Sequence, residues 1–266
     1  MSVQTHLTQT ASNLILTPSE KLSISSSITI LESRLIYHFS NGEINKKLLF
    51  GSYTRETILP RKVDPDSDID YMIVFNNPSD LKPQTFLERL KRFTEARYSS
   101  SERKQSYPTI VLELNHIKFE LVPAINSYWQ SEYRIPNRET YDQWIDTSPE
   151  QLKRELTNKN IQLNYLGKPL VRLLKYWNTR EGKIYSSFEI EKFVISNVFY
   201  SSSTLKELFF EAIRDLHSNR WSLPRYKISK VERAMTIVEN TERFENNFQP
   251  NSAEIEIKKL IPSYFG

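Results

Sequence analysis

The stretch SDIDYMIVF, residues 67–75, is apolar on both faces after its first few positions. A strand of this kind must be covered on both sides, so we expect it at the centre of a sheet. Its only charged residues, Asp68 and Asp70, stand two positions apart at its start. Because side chains at i and i+2 of a strand leave the same face, we expect the two carboxylates to project together.

The neighbouring segments predict a mixture of strands and helices. A capping box of Thr17 and Glu20, with Pro18 at the first helical position, predicts a helix to about Phe39, and residues 1–16 are expected to be frayed. Further elements are expected as a strand ending at Gly51, an amphipathic helix over residues 82–98, and two strands over 109–125 that meet at Asn115 and His116.

The pattern changes after about residue 135, where successive segments carry helical periodicity. We therefore predict an α+β protein with two lobes. Residues 1–135 would form a mixed sheet with helices, including the long N-terminal helix, and residues 136–266 a helical lobe. An active site is expected in the cleft between the lobes, where ligand sites commonly lie.

Composition excludes several kinds of chemistry. The 266 residues include no cysteine, which rules out disulfides, thiolate zinc sites and a cysteine nucleophile. The formal net charge is +4, which suits a protein that handles phosphates but is also common elsewhere. We find no basic and apolar leader, and no apolar run near the roughly 18 residues that span a bilayer. These observations predict a cytoplasmic protein that does not enter the membrane.

Three further positions suggest a site for metal and phosphate. Two carboxylates as close as Asp68 and Asp70 repel each other unless a cation joins them, and Mg²⁺ prefers such oxygen ligands. Gly51 and Ser52 offer backbone N–H groups and a hydroxyl to a phosphate, or form a plain turn. Glu120 lies within an apolar strand and is either a third metal ligand or the partner of a nearby base such as Lys118.

Taken together, the Gly-Ser turn, the paired aspartates and the later acid resemble the DNA polymerase β-like nucleotidyltransferases. More narrowly, residues 51–75 and 117–125 resemble the CD-NTase family, the bacterial relatives of cyclic GMP-AMP synthase and oligoadenylate synthase. The segment LVRLLKYWNTREGKIYSSFEIEKFV, residues 170–194, resembles the same family. The resemblance implies a polymerase β-like palm, with Lys175 and Ser187 holding the triphosphate and Phe188 stacking on a base.

The resemblance also implies a reaction. Asp68, Asp70 and Glu120 would bind two Mg²⁺ ions, for which Mn²⁺ can substitute, and serve as the catalytic residues. Nucleoside triphosphates (ATP, GTP, CTP or UTP) would be joined into a cyclic or short linear oligonucleotide that signals phage infection to an effector protein, with no requirement for nucleic acid. Two alternatives remain: transfer of nucleotides to tRNA or a protein, and a catalytically inactive nucleotide sensor.

One position departs from the family pattern. Many relatives have glycine where this chain has Glu56, and a carboxylate near a triphosphate would be repulsive. Pairing of Glu56 with Arg55 or Arg61 would turn it away from the phosphates. Asp64 and Asp66, in the long segment before Ser67, are expected to be solvated loop acids.

Overall fold

A computed structural model describes residues 2–77, 79–98, 102–106, 108–127, 132–140, 142–200 and 203–265. The helices are α1 (Val3–Asn13), α2 (Pro18–His38), α3 (Gly51–Thr54), α4 (Pro83–Arg97), α5 (Pro149–Gln162), α6 (Gly167–Arg180), α7 (Ser187–Ser196), α8 (Leu205–Ser218), α9 (Arg225–Asn246) and α10 (Pro250–Lys258). The strands are β1 (Ile44–Phe50), β2 (Ile69–Phe75), β3 (Glu102–Ser106), β4 (Thr109–Glu113), β5 (Lys118–Asn126), β6 (Tyr133–Pro136) and β7 (Trp144–Thr147).

The chain forms two compact units. One, the sheet unit, comprises residues 17–61 and 65–154. The other, the helical unit, comprises residues 1–16, 62–64 and 155–266. This division differs from the expected boundary near residue 135, because β6 pairs with β5 and β7 pairs with β6, which extends the sheet to residue 147.

The sheet unit is built around β2, as its apolar pattern predicts. The strand order is β1-β2-β5-β4-β3, with β2 antiparallel to β1 and parallel to β5. Alternate side chains of β2 reach different neighbours: the hydroxyl of Tyr71 donates to Glu32 of α2, and Phe75 contacts Phe86 of α4. Met72, by contrast, belongs to a buried cluster with Tyr133 of β6. The even-numbered positions of β2, which include Asp70, therefore face away from α2 and α4.

Several elements of the sheet unit match the prediction from sequence and others were missed. Thr17 caps α2 in the expected capping box with Glu20, and β4 and β5 pair antiparallel as expected. The edge strand β3 was missed because its sequence, ERKQS, lacks apolar alternation; it forms through backbone pairing with β4. The strands β6 and β7 were missed because each has four residues.

In the helical unit, the expectation of a frayed N-terminus is wrong. Residues 3–13 form α1, which Ser2 caps by accepting the N–H of Thr5. Two polar contacts also fix the helix: His6 bonds to the carbonyl of Ile261, and Arg172 of α6 donates to the carbonyl of Ala11. Among the described residues, no helix is long and apolar enough to cross a membrane.

Candidate active site

Two of the three predicted carboxylates, Asp70 and Glu120, lie on the two central parallel strands, and Asp68 directly precedes β2. In the register of β2 and β5, Asp70 stands beside Glu120, and on its other side Asp70 pairs with Phe50, the last residue of β1. Residues paired across neighbouring strands leave the same face of a sheet, so the side chains of Asp70 and Glu120 emerge together. This face is the one directed away from α2 and α4.

Lys118 and Asp68 lie two residues before this pair and add charge to the same face. The Nζ of Lys118 is 3.6 Å from Oδ2 of Asp68, so the base that the sequence offered as a partner for Glu120 pairs with Asp68. Burial, then the negative charge of Asp68, raises the pKa of Glu120 to about 7, against an ordinary value of 4.5; Lys118 opposes this rise. A hydrogen bond between the carboxyl groups of Glu120 and Asp68 contributes to the same shift.

The carboxyl groups of Asp68, Asp70 and Glu120 are of the type that binds a divalent cation, but their arrangement is not that of a three-ligand metal site. Asp68 and Glu120 lie close enough to share a proton, which is the position that a cation would take between two carboxylates. Within the part of the chain that the structure describes, however, no three His, Asp or Glu side chains form a group that could hold a metal. The three-ligand set of Asp68, Asp70 and Glu120 therefore stays a prediction.

The raised pKa predicts that Mg²⁺ binds more tightly as pH rises to about 7. Without metal, the proton on Glu120 stabilises the fold below about pH 4.5, and this contribution is lost as pH rises through 7. A cation that binds the carboxylate of Glu120 must displace this proton. The affinity for Mg²⁺ should therefore fall about tenfold for each pH unit below pH 7. The measurement is the rise in melting temperature with Mg²⁺ at about pH 6 and about pH 8. Glu120→Gln should abolish the difference, and an equal rise at both pH values in the wild type would contradict it.

Gly51 is placed directly against Asp70. It follows β1 with a φ of 73°, in the left-handed region, and a Cβ built on it would lie 1.7 Å from Oδ2 of Asp70. Only a residue without a side chain leaves room for the carboxylate here. Gly51 and Ser52 begin the one-turn helix α3, and the N–H groups of Thr57 and Ile58 return to the carbonyl of Ser52, closing a compact loop.

Gly51→Ala is expected to displace Asp70 and to lower stability by about 2–4 kcal/mol, the sum of left-handed strain and overpacking. Gly42→Ala is the matched control, because Gly42 has a φ of 86° but nothing within 4 Å of its Cβ position. The two variants share the backbone strain, so the difference between their unfolding free energies in urea isolates the clash with Asp70. Equal losses in both variants would show that Asp70 moves aside without cost.

Glu56 has a left-handed backbone, which explains why a glycine suits this position. Its φ is 61° and its side chain is exposed. The suggested pairing with Arg61 is not seen: Arg61 bonds to Glu113 at 2.6 Å and to the carbonyl of Pro65. Glu113 of β4 is thus the partner of Arg61. Because the chain has a glutamate here and not a glycine, the left-handed backbone of Glu56 strains the loop between α3 and β2.

Glu56→Gly should relieve this strain. A non-glycine residue in the left-handed region costs about 1–2 kcal/mol, and part of the gain is offset by the greater freedom of glycine in the unfolded chain. We expect the free energy of unfolding to rise by about 0.5–1 kcal/mol in urea titrations. Thr54→Gly, within α3, should instead lower it. A lower stability of Glu56→Gly would mean that the contacts of the Glu56 side chain outweigh the strain.

In the helical unit, Lys175 is neither a surface lysine nor directed to solvent. It lies in α6, is 4% exposed, and its Nζ is 2.6 Å from Oε1 of Glu191, a fully buried residue of α7. The sequence analysis did not identify Glu191. The signal for it was present: a carboxylate between Ile190 and Val194 on an otherwise apolar helix face needs a cation.

The turn between α6 and α7 is held by its own residues. The side chain of Asn178 bonds to both the N–H and the carbonyl of Tyr185. Ser186 caps α7 in a capping box with Glu189, which leaves Ser187 as the exposed first residue of the helix. Phe188 is 54% exposed and so is not part of the core, and the Nζ of Lys192 lies 5.8 Å from the centroid of its ring.

Lysine side chains from elsewhere in the helical unit also bond to the turn between α6 and α7. Lys227 donates to the carbonyl of Ile184 at 2.5 Å, and Lys230 donates to the carbonyl of Glu181. Asp64, expected to be a solvated loop acid, is 8% exposed and pairs with Lys183 at 2.9 Å. These contacts were not predicted because each joins residues at least 43 positions apart.

The comparisons with known proteins decide the family. The model of the Second Messenger Oligonucleotide or Dinucleotide Synthetase domain (SMODS) matches residues 1–160, more than half of the chain. The chain belongs to this family. The match includes Gly51, the paired aspartates and Glu120, and it confirms the resemblance to CD-NTases that the sequence predicted. A probable cyclic nucleotide synthase of Bacillus cereus is 29% identical to this SMODS protein, over 68% of the chain. The match covers 66% of that relative, so the chain spans about two thirds of its length.

Solved structures confirm the fold. Vibrio cholerae DncV, in complex with the linear intermediate 5′ pppA(3′,5′)pG, matches with a TM-score of 0.77 and 14% identity, over 98% of this chain and 97% of that one. CdnC of E. coli MS115-1 with ATP matches with a TM-score of 0.70 and 15% identity, over 100% and 99% of the two chains. The predicted α+β nucleotidyltransferase fold is therefore correct.

Proposed function

We propose that this SMODS protein is a metal-dependent nucleotidyltransferase that joins nucleoside triphosphates into a cyclic or short linear oligonucleotide. The observation that carries the proposal is the row of Asp70 and Glu120 on adjacent strands, with Asp68 beside them and the carboxylate of Asp70 against Gly51. Family membership supports it, as does the description of the Bacillus cereus relative as a probable cyclic nucleotide synthase.

In the proposed reaction, a 2′- or 3′-hydroxyl of one nucleotide attacks the α-phosphorus of another. An O–P bond forms, the bond from that phosphorus to pyrophosphate breaks, and the hydroxyl loses its proton. Asp68, Asp70 and Glu120 would hold Mg²⁺, or Mn²⁺ in its place, which supplies charge stabilisation for the pentavalent phosphorus and the leaving pyrophosphate. Glu120 would also help to take the proton from the hydroxyl.

The remaining residues would bind the nucleotide. Gly51 and Ser52 present the N–H groups and hydroxyl of the loop after β1 to phosphate oxygens. Lys175 supplies a cation and Ser187 a hydroxyl at the first turn of α7, where partial positive charge favours anions, and the exposed ring of Phe188 stacks on a base. The substrates would be ATP, GTP, CTP or UTP in the cytoplasm. The product would signal to an effector protein, with phage defence as the role implied at family level.

The test is incubation of the purified protein with all four ribonucleotide triphosphates and Mg²⁺ or Mn²⁺, with EDTA as the control. Products that resist phosphatase are identified by mass spectrometry. A cyclic or linear oligonucleotide that disappears with EDTA supports the proposal and identifies the bases. Transfer of labelled nucleotide to tRNA or protein, with no free oligonucleotide, would overturn it in favour of a macromolecular acceptor.

A further inference from the structure

The ion pair of Lys175 and Glu191 is the most deeply buried one among those the structure describes. The two side chains are 5% and 0% exposed, and the distance of 2.6 Å is that of a strong, charge-assisted hydrogen bond. Lys175 comes from the middle of α6 and Glu191 from α7, so the bond joins the two helices that flank the turn before Ser187.

Stability alone does not account for such a pair. Two buried charges lose their hydration, and a pair of well-packed apolar residues of similar size usually serves a fold as well or better. The rest of the interface favours apolar packing, since Leu174 and Ile190 nearby in sequence are both buried. A charged pair at this position therefore indicates that the charge itself, or the position in which the pair holds it, has a function.

The geometry of α7 indicates that use. Ser187 and Glu191 are four residues apart and share one helix face. Side chains of an α-helix tilt toward its N-terminus, so the carboxylate of Glu191 reaches back toward the first turn. On α6, Lys175 and Asn178 are three residues apart and also share a face, and Asn178 bonds to Tyr185 just before that turn. The bond to Glu191 thus holds the ammonium of Lys175 against the N-terminal half of α7.

We propose that Glu191 is a positioning residue that fixes the ammonium of Lys175 beneath the first turn of α7, where it binds the phosphates of the nucleoside triphosphate. An ammonium has three donors, so a bond to Glu191 is compatible with a bond to phosphate. This inference rests on the proposed function, because it takes Lys175 as a phosphate ligand.

The test measures binding of non-hydrolysable analogues of ATP, GTP, CTP and UTP by calorimetry, well below the melting temperature of each variant. Glu191→Gln should weaken the binding of the preferred analogue about tenfold or more, and Glu191→Asp should bind more tightly than Glu191→Gln. Lys175→Met/Glu191→Met should fold and yet bind as weakly as Glu191→Gln. Glu256→Gln is the matched control: it removes a buried carboxylate of α10 that pairs at 2.5 Å with Lys259, the residue after the helix, and its binding should equal that of the wild type.

The outcomes separate the inference from the function on which it rests. If the wild type binds an analogue and Glu191→Gln binds it within about twofold, the positioning role is wrong while the nucleotidyltransferase proposal stands. Wild-type affinity in the double methionine variant would show that the pair is structural. Absence of binding to all four analogues by the wild type would overturn both proposals together.

Discussion

Asp70→Asn is expected to lower the rate of oligonucleotide formation by at least about 10³-fold, equivalent to about 4 kcal/mol of transition-state stabilisation. The substitution is nearly isosteric, so the side chain still fits against Gly51, where even one added carbon would collide with it. The change removes the charge of Asp70 while preserving its packing. Loss of turnover would then reflect chemistry and not a displaced strand.

The measurement is product formed per enzyme per minute, with the melting temperature recorded for each variant. Asp142→Asn is the matched control, since Asp142 is an exposed acid of the same unit that pairs with Lys82 at 3.6 Å. Its rate should equal that of the wild type. If Asp70→Asn keeps a tenth or more of the wild-type rate, Asp70 is not a metal ligand and the proposed mechanism must do without it.

The placement of Asp70 was predictable because it depends on local rules. An apolar run specifies a buried strand, and the period of two in a strand places Asp68 and Asp70 on one face. The partner of Glu120 was harder to predict. Lys118 was the natural candidate in the sequence, yet it pairs with Asp68, because the outcome depends on the register between β2 and β5. Register is set by packing across the whole sheet.

Contacts between segments that are distant in the chain could not be predicted from the sequence either. The motif Lys-Tyr-Trp-Asn at residues 175–178 was noticed for its family resemblance, but its physical basis lies elsewhere in the chain. Trp177 is fully buried in the helical unit, Asn178 holds Tyr185, and Lys175 meets Glu191. Helical periodicity identifies which face of α6 is buried but gives no information about the helix that covers it.

The carboxylates of the sheet unit and the lysine of the helical unit share one electrostatic arrangement. In each, a charged side chain that we propose binds a ligand has a counter-charge within the protein: Lys118 for Asp68, and Glu191 for Lys175. Unpaired buried charges are costly, so a protein that must present them without ligand benefits from such partners. The cost of removing one partner should then be greatest where burial is deepest.

Lys175→Ala is accordingly expected to lower the free energy of unfolding by about 3–5 kcal/mol, a large part of the 5–15 kcal/mol typical of folded proteins. The variant leaves the carboxylate of Glu191, which is fully buried, without this ammonium. Replacing both charges in Lys175→Met/Glu191→Met removes the buried charge altogether. The double variant should therefore be as stable as the wild type to within about 1 kcal/mol, or more stable.

Urea unfolding followed by tryptophan fluorescence tests this expectation, since Trp177 lies on the same helix and is fully buried. Lys175→Met, Glu191→Met and the double variant complete a double-mutant cycle with the wild type. Additive losses would mean that the two side chains do not stabilise each other. A double variant that regains stability but binds nucleotide poorly would show that the pair serves nucleotide binding and that the fold does not need it.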